Sequence, residues 1–245
     1  MLATALANIP TPAPHGIDFA QRRGQRTPRL QPLTFAQSLS GGTCRILGAK
    51  EHLFCEGDPA SHVYLVEAGH LCIYRMMPDG RRQVIDFAYP GDVVGLGALG
   101  EHAANAHATT KSRVRCLPIA TLHDVAAKDS RLGRSLYEAL ALELQASREH
   151  LFTISQCTAA ERLATFLMVL SRRNARRHED PNEIVLPMTR TDIADFLGLT
   201  IETVSRTLTK FRADGLIDIA HCVLVTILDP ESLAQVAGGD GHGRK

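Results

Sequence analysis

TRTDIADFLGLTIETVSRTLTKFRA, residues 189–213, reads as two short helices joined by a glycine turn. Thr189 is placed to cap the first helix, and Asp192, at its third position, answers it as a capping box. Ile193, Ala194 and Leu197 fall on one inner face, and Ala194 is small where a second helix must pass close. Gly198 supplies the positive φ that a sharp helix exit requires. Thr200 then caps a second helix whose apolar positions Val204, Leu208 and Phe211 recur at steps of four and three. Two helices crossing through so short a turn form a helix-turn-helix, whose second helix is the one that enters a DNA major groove.

The opposite face of that second helix carries the chemistry. Glu202, Ser205 and Arg206 stand at i, i+3 and i+4 and project together, away from Val204 and Leu208. Arg offers a bidentate contact to guanine, Glu accepts from the cytosine amino group, and Ser bonds base or phosphate. Thr189, Arg190, Thr200, Thr203, Thr207 and Lys210 flank them with groups suited to sugar-phosphate oxygens. An ordinary amphipathic helix would explain Glu202 and Arg206 as an i,i+4 ion pair. It would not explain the caps, the small-residue turn and the three-residue polar cluster in register.

Downstream, Leu216–Ile219 and Val223–Ile227, split by Ala220-His221-Cys222, read as a hairpin. Asp229-Pro230-Glu231 opens a short last helix with proline at its first position. Upstream, Thr158 and Glu161 form another capping-box pair, heading a helix through Leu163, Phe166, Leu167 and Leu170 to Arg173. Gln156-Cys157-Thr158-Ala159 then reads as a hinge. Before it, Leu132, Leu136, Leu140, Leu144, Ser147, Leu151 and Ile154 step by four and three behind an Asp129-Ser130 cap. That seam is too long for one small domain to cover. A paired helix from a second copy is the economical partner, with Leu136, Leu140, Leu144, Leu151 and Ile154 as the interface.

From about 45 to 120 the pattern changes. Glycines 57, 69, 80 and 91 sit 12, 11 and 11 residues apart within turn sequences. Strand-like runs lie between them: Val63–Val66, Leu71–Tyr74 and Val84–Phe87. Such spacing indicates a sandwich or jelly-roll barrel. A jelly roll also serves enzymes, but His102 and His107 lack the HxH-and-Glu company of a metal site, so no metal or cofactor is expected.

Composition bounds the rest. The 245 residues carry a net charge of +1, so overall charge gives no support to nucleic-acid binding. Basic residues concentrate locally instead, at Arg172-Arg173, Arg176-Arg177 and within 22–29, as candidate phosphate contacts. No apolar run is long enough to span a membrane, and no secretory signal is visible. Six scattered cysteines, 44, 55, 72, 116, 157 and 222, fit reduced cytoplasmic thiols better than disulfides or zinc. Residues 1–32, rich in Pro and basic residues, read as a disordered arm.

The run ERLATFLMVLSRRNARR followed by MTRTDIADFLGLTIETVSR resembles the DNA-binding half of the cAMP receptor/FNR family of bacterial regulators. Within it, the E-x-x-S-R pattern of Glu202, Ser205 and Arg206 resembles the FNR–FixK branch. This implies an α+β chain with four parts. An N-terminal jelly-roll β-barrel of the cyclic-nucleotide-binding type covers 33–128 and a dimerisation helix 129–156. A winged helix-turn-helix spans 157–237, followed by a flexible tail at 238–245. It implies a homodimeric, cytoplasmic regulator that binds double-stranded DNA at a TTGAT-N4-ATCAA-like palindrome. It further implies contact with RNA polymerase and activation of low-oxygen respiration or nitrogen-fixation genes.

The family's cyclic-nucleotide binders use an Arg-Ser pair for the phosphate and a Glu for the ribose after a P-G-D-x-x-G turn. Here the turn is Pro90–Gly95, the Glu position is Leu96, and aligning a strand that ends Lys111-Ser112 puts the pair on Ala104-Asn105. Cys116 matches the roll cysteine of the iron–sulfur sensors, but residues 1–43 hold no cysteine to complete a cluster. Cys116 is then read as a small buried hydrophobe. DNA binding is expected to need neither cAMP nor anaerobic handling, with thiol oxidation at Cys222 or Cys157 as a slower control. Two alternatives stay open: a ligand-gated regulator of this fold taking haem or a fatty acid, and a jelly-roll enzyme with an appended DNA-binding domain.

Overall fold

The computed structural model describes residues 42–221 and 223–238. The arm, with its basic stretch 22–29, residues 239–245 of the expected tail and Cys222 lie outside the described residues, and Gly238 ends the last helix.

Eight strands build the roll: β1 (Thr43–Leu47), β2 (His52–Phe54), β3 (His62–Ala68), β4 (Leu71–Met76), β5 (Arg82–Ala88), β6 (Val93–Val94), β7 (Asn105–Ala108) and β8 (Ser112–Pro118). They pair antiparallel into two four-stranded sheets, β1-β8-β3-β6 and β2-β7-β4-β5. Leu47, Phe54, Val66, Leu71, Ala106 and Val114 fill the space between them, each large side chain contributing roughly 1.5–3 kcal/mol on burial. All four glycines of the turn sequences take positive φ. Gly69 is the strictest, because a Cβ there would stand 2.3 Å from Ser112 Oγ and 2.5 Å from the Lys111 carbonyl. The strand expected to end at Lys111-Ser112 in fact ends at Ala108, and Ser112 opens β8. Ser112 is buried, its hydroxyl donating to the Thr110 carbonyl and accepting from the His70 N–H, so it shapes a corner.

Six helices follow: α1 (Ile119–Lys128), α2 (Ser130–Gln156), α3 (Ala159–Arg176), α4 (Arg190–Leu197), α5 (Ile201–Ala213) and α6 (Pro230–Gly238). The sequence reading misses α1, a ten-residue helix whose Ile119, Leu122 and Ala126 step by three and four onto the cluster that also buries Leu132. It also misses β9 (Glu183–Val185), too short to show alternation. β9 extends the hairpin of β10 (Ile217–Ala220) and β11 (Leu224–Ile227) into a sheet ordered β10-β11-β9.

Asp129 caps α2, accepting from the Arg131 N–H at 2.9 Å. The helix divides its apolar seam. Leu132 is buried among Val63, Leu65, Leu117 and Leu122, and Leu136 packs partly against the same cluster. Leu136, expected to face a second copy, is thus drawn toward the roll of its own chain, because the seam's first two turns lie over it. Beyond, Leu140, Leu144 and Leu151 are 42%, 52% and 63% exposed, and Ile154 is half-buried.

The roll does not stand apart from the C-terminal helices. Cys72, Val84, Phe87 and Tyr89 join Leu163, Phe166, Leu197, Leu208 and Leu233 in one continuous core. Phe87, Phe166 and Phe196 form a triangle of rings with centroids 5.3–6.4 Å apart, and His150 of α2 stacks on Phe196 at 4.2 Å. Tilted aromatic contacts of this kind add roughly 0.5–1.5 kcal/mol each beyond area burial.

Candidate nucleic-acid interface

The helix-turn-helix is held by three local devices and one distant one. Thr189 caps α4 by accepting from the Asp192 N–H at 3.1 Å, while Asp192 accepts from the Thr189 N–H at 2.8 Å. Gly198 ends the helix at φ 63°, ψ 41°. Thr200 caps α5, accepting from the Thr203 N–H at 3.2 Å. Each such cap contributes about 1 kcal/mol. The distant device is Arg162 of α3, which donates to the Leu197 and Gly198 carbonyls at 3.0 and 3.4 Å. A cation is thereby set on the unpaired carbonyls of a helix C-terminus. Sequence reading overlooked Arg162, because nothing local marks a residue 35 positions away as the partner of a turn.

Val204, Leu208 and Phe211 are buried, and Glu202, Ser205 and Arg206 are exposed on the other side of α5, as the periodicity predicts. Among the described residues Arg206 closes no hydrogen bond or ion pair, so the simple i,i+4 pair with Glu202 is not formed. Glu202 is held below the usual carboxylate range by its own backbone N–H, then by the Thr200 hydroxyl, with Arg206 adding a smaller pull. It is therefore an ionised acceptor at neutral pH, the form that accepts a hydrogen bond from an exocyclic amine.

The flanking hydroxyls are more engaged than the sequence suggests. Thr189 donates to Asp192 Oδ2 at 2.7 Å, Thr203 pairs with Thr200 at 3.1 Å, and Thr207 donates to the Thr203 carbonyl at 2.8 Å. A hydroxyl that donates to its own backbone has no proton left for a phosphate until it rotates. Lys210 is exposed on the same helix. Arg190, half-buried at the first position of α4, has a buried Nη1 with no partner.

The arginines at the end of α3 separate into two pairs. Arg172 and Arg176 are exposed. Arg173 is instead ion-paired with Asp92 of the roll, and Arg177 donates to the Pro90 carbonyl at 3.2 Å and to Glu179 at 3.1 Å. The expectation that 173 and 177 meet phosphate is corrected: they face the roll, because α3 packs against it.

Inside the roll, the groups for a cyclic phosphodiester are absent. Asn105 spends its amide oxygen on the Glu56 N–H at 3.1 Å, and Leu96 packs into the apolar cluster under α2. The six roll arginines are all committed to carboxylates: Arg45 to Glu51, Arg75 to Glu56, Arg81 to Asp79, Arg82 to Asp192 and Asp195, and Arg113 and Arg115 to Glu67. A neutral residue, His102, lies stacked on Phe54 at 3.6 Å, burial holding its pKa down. These residues do not fit the phosphodiester, which needs a bidentate cationic donor. His107 instead lies against His52 and Tyr74, with ring centroids 5.8 and 5.3 Å away, whereas His102 lies against Phe54 and Tyr64. Cys116 is buried in the roll core and burial pushes its thiol up, which suits the small-hydrophobe reading. No group of three or more His, Cys, Asp or Glu able to hold a metal occurs among the described residues. No described helix is long and apolar enough to cross a membrane.

A β-roll, a long linking helix and a winged helix-turn-helix whose second helix exposes Glu202, Ser205 and Arg206 define a DNA-binding regulator. Residues 161–236 match the Crp-like helix-turn-helix domain and residues 44–129 the cyclic nucleotide-binding domain. The chain is 36% identical over 196 residues to the nitrogen fixation regulation protein FixK of Azorhizobium caulinodans, covering 80% of this chain and 79% of that protein. It is 36% identical over 188 residues to the fumarate and nitrate reduction regulatory protein of Escherichia coli, covering 76% and 75%. The solved structure of FixK2 from Bradyrhizobium japonicum superimposes with a TM-score of 0.75 at 33% identity, covering 80% of this chain and 96% of that one. The chain belongs to the Crp/FNR family of transcription regulators, in its FixK branch.

Proposed function

We propose that this regulator binds, as a cytoplasmic homodimer, a two-fold palindrome of the TTGAT-N4-ATCAA type and activates genes of nitrogen fixation or low-oxygen respiration. The observation that carries the base-reading part is the exposed triplet Glu202, Ser205 and Arg206, with Arg206 unpaired, on a helix capped at Thr200 and buried along its other face. Arg190, Thr189, Thr200, Thr203, Thr207 and Lys210 fall around that triplet as backbone contacts, the threonines after rotation of their hydroxyls. Leu140, Leu144 and Leu151 offer the dimer seam, with Ile154 at its end and Leu136 shared with the roll. Names given to the relatives, nitrogen fixation regulation and fumarate and nitrate reduction, support the choice of genes. Activation requires a surface for RNA polymerase.

Anisotropy titration of wild type and variants onto the palindrome and a scrambled duplex, at fixed salt, tests the reading. Arg206→Ala is expected to cost about 1–3 kcal/mol on the palindrome and to relax guanine preference at one position of each half-site. Glu202→Ala relaxes a different position. Equal weakening on both duplexes would make Arg206 a phosphate contact and defeat the assignment.

Aerobically purified protein is expected to bind the palindrome with the same affinity, within about twofold, whether or not cAMP is present. A ligand shifts an equilibrium only through differential affinity, and Asn105 and Leu96 offer the nucleotide neither charge nor a bidentate donor. A tenfold gain from cAMP, or binding seen only without oxygen, contradicts this. Control then rests on protein amount or slow thiol chemistry. Cys157 is half-buried at the hinge, and burial pushes its thiol up and makes it less reactive. Cys222 lies outside the described residues.

A further inference from the structure

We propose that the cleft between the roll and the end of α3 binds a small organic anion, a carboxylate or phosphate ester of metabolite size, through Arg173, Arg177 and the Tyr89 hydroxyl. The site lies outside the roll interior and away from the base-reading face of α5.

Four buried side-chain polar atoms lack a hydrogen-bond partner among the described residues, and two of them, Tyr89 Oη and His70 Nδ1, belong to residues that line this one cleft. Tyr89 is only 8% exposed. A buried hydroxyl left unpaired costs about 1–3 kcal/mol, so a group that pairs it gains by doing so. The guanidinium of Arg173 lies over the Tyr89 ring at 4.3 Å and gives one nitrogen to Asp92. Arg177 gives Nε to Glu179 and Nη1 to Pro90. Among the described residues each arginine keeps at least one nitrogen uncommitted, and a guanidinium donates in a fork matched to an oxyanion.

The neighbours favour the same class of ligand. Burial pushes the Tyr89 phenol up, so it stays a proton donor. Burial, then Arg177 and Arg173, hold His70 below the ordinary histidine pKa, leaving a neutral ring beside the anion. Val185 and Leu224 supply an apolar wall for a carbon skeleton. Glu179, Asp180 and Glu183 also line the cleft and oppose a polyanion, which limits the ligand to a small mono- or dianion. The cleft measures about 390 Å³, within the size range of small-molecule sites. Its walls come from the roll, α3, β9 and β11, so an occupant would bridge the roll to the base of the wing. Preference for one arrangement of those parts would make it an effector of DNA binding.

Isothermal titration of the full chain with sodium succinate and, separately, potassium phosphate tests this, each against sodium chloride at matched ionic strength. At least one anion is expected to bind saturably with a Kd of about 1 mM or tighter, and at least tenfold more weakly to Tyr89→Phe and Arg173→Gln. Succinate alone assigns a carboxylate, phosphate alone a phosphate ester, and both a general oxyanion site. Without ligand, Tyr89→Phe should melt at or above wild type, since only an unpaired hydroxyl is removed; this separates lost binding from lost folding. Neither anion exceeding chloride, or binding that survives both substitutions, overturns the proposal.

Discussion

Replacing Leu144 and Leu151 together by Asp is expected to leave the chain monomeric and to weaken palindrome binding by about 10²–10⁴-fold, the gain that linking two modest contacts ordinarily supplies. Both side chains are more than half exposed in the single chain, at 52% and 63%. They lie on α2 with Leu140, Tyr137 and Phe152 also uncovered. A paired helix would bury them, and aspartates there would meet their symmetry mates as unpaired buried charges. Neither leucine belongs to a core cluster of its own chain, so the substitutions leave the roll and the reader folded. Sedimentation equilibrium reads the oligomeric state, and circular dichroism checks the fold. A folded double variant that stays dimeric would move the interface to another surface.

The second large effect is expected at Arg82→Ala. Arg82 extends from β5 to the helix-turn-helix, pairing with Asp192 and, through Nε at 2.9 Å, with Asp195; Gln83 beside it donates to the Asp195 carbonyl. Asp192 therefore caps α4 with one oxygen and docks it on the roll with the other. Removing the guanidinium leaves two carboxylates facing each other at a half-buried junction. Asp192 has a side-chain exposure of only 10%, and we expect a loss of about 1–3 kcal/mol. Amide exchange across 190–198 should rise more than across β3 or β8. Arg82→Lys should recover only part, because an ammonium cannot span both acids. Uniform exchange throughout the chain would deny Arg82 a docking role.

The same junction has a pH sign. Burial raises the Asp192 pKa, but the Thr189 hydroxyl and N–H together with Arg82 outweigh it and hold the carboxyl below its usual value. A carboxyl depressed in the folded state adds stability that is present above its unfolded pKa and lost as pH falls through the folded one. Acid below about pH 4 should therefore loosen the wild-type junction. Arg82→Ala, already without the guanidinium, should show a shallower acid dependence. A steeper one would contradict the assignment of Arg82 as a cause.

Most of the reader was legible because its determinants are local. Capping pairs Thr158–Glu161 and Thr189–Asp192, the left-handed Gly198 and the steps Val204, Leu208, Phe211 each bring together residues within a turn or two of chain. The four roll turns were legible for the same reason: a positive φ is a property of one residue and its neighbours. Short elements were not. The three residues of β9 carry no period, and they become a strand only because β11 lies alongside, with Val225 opposite Ile184.

Partner choice across the chain was likewise beyond the sequence. Arg162 and Arg173 are two arginines in one helix, yet one reaches the turn of the helix-turn-helix and the other Asp92 of the roll. The leucine seam of α2 has one period throughout, but its start is covered by the roll and its remainder is left open. Periodicity states that a face is apolar; packing alone decides what covers it. The sequence by itself determined that α2 to α6 form, where α4 and α5 begin and which face of α5 is polar, since those follow from backbone hydrogen bonds and φ/ψ limits within a few residues. Only the tertiary structure decided that the roll and the reader share one core joined through Arg82, because long-range contacts depend on the simultaneous placement of segments that the chain itself keeps about 110 residues apart.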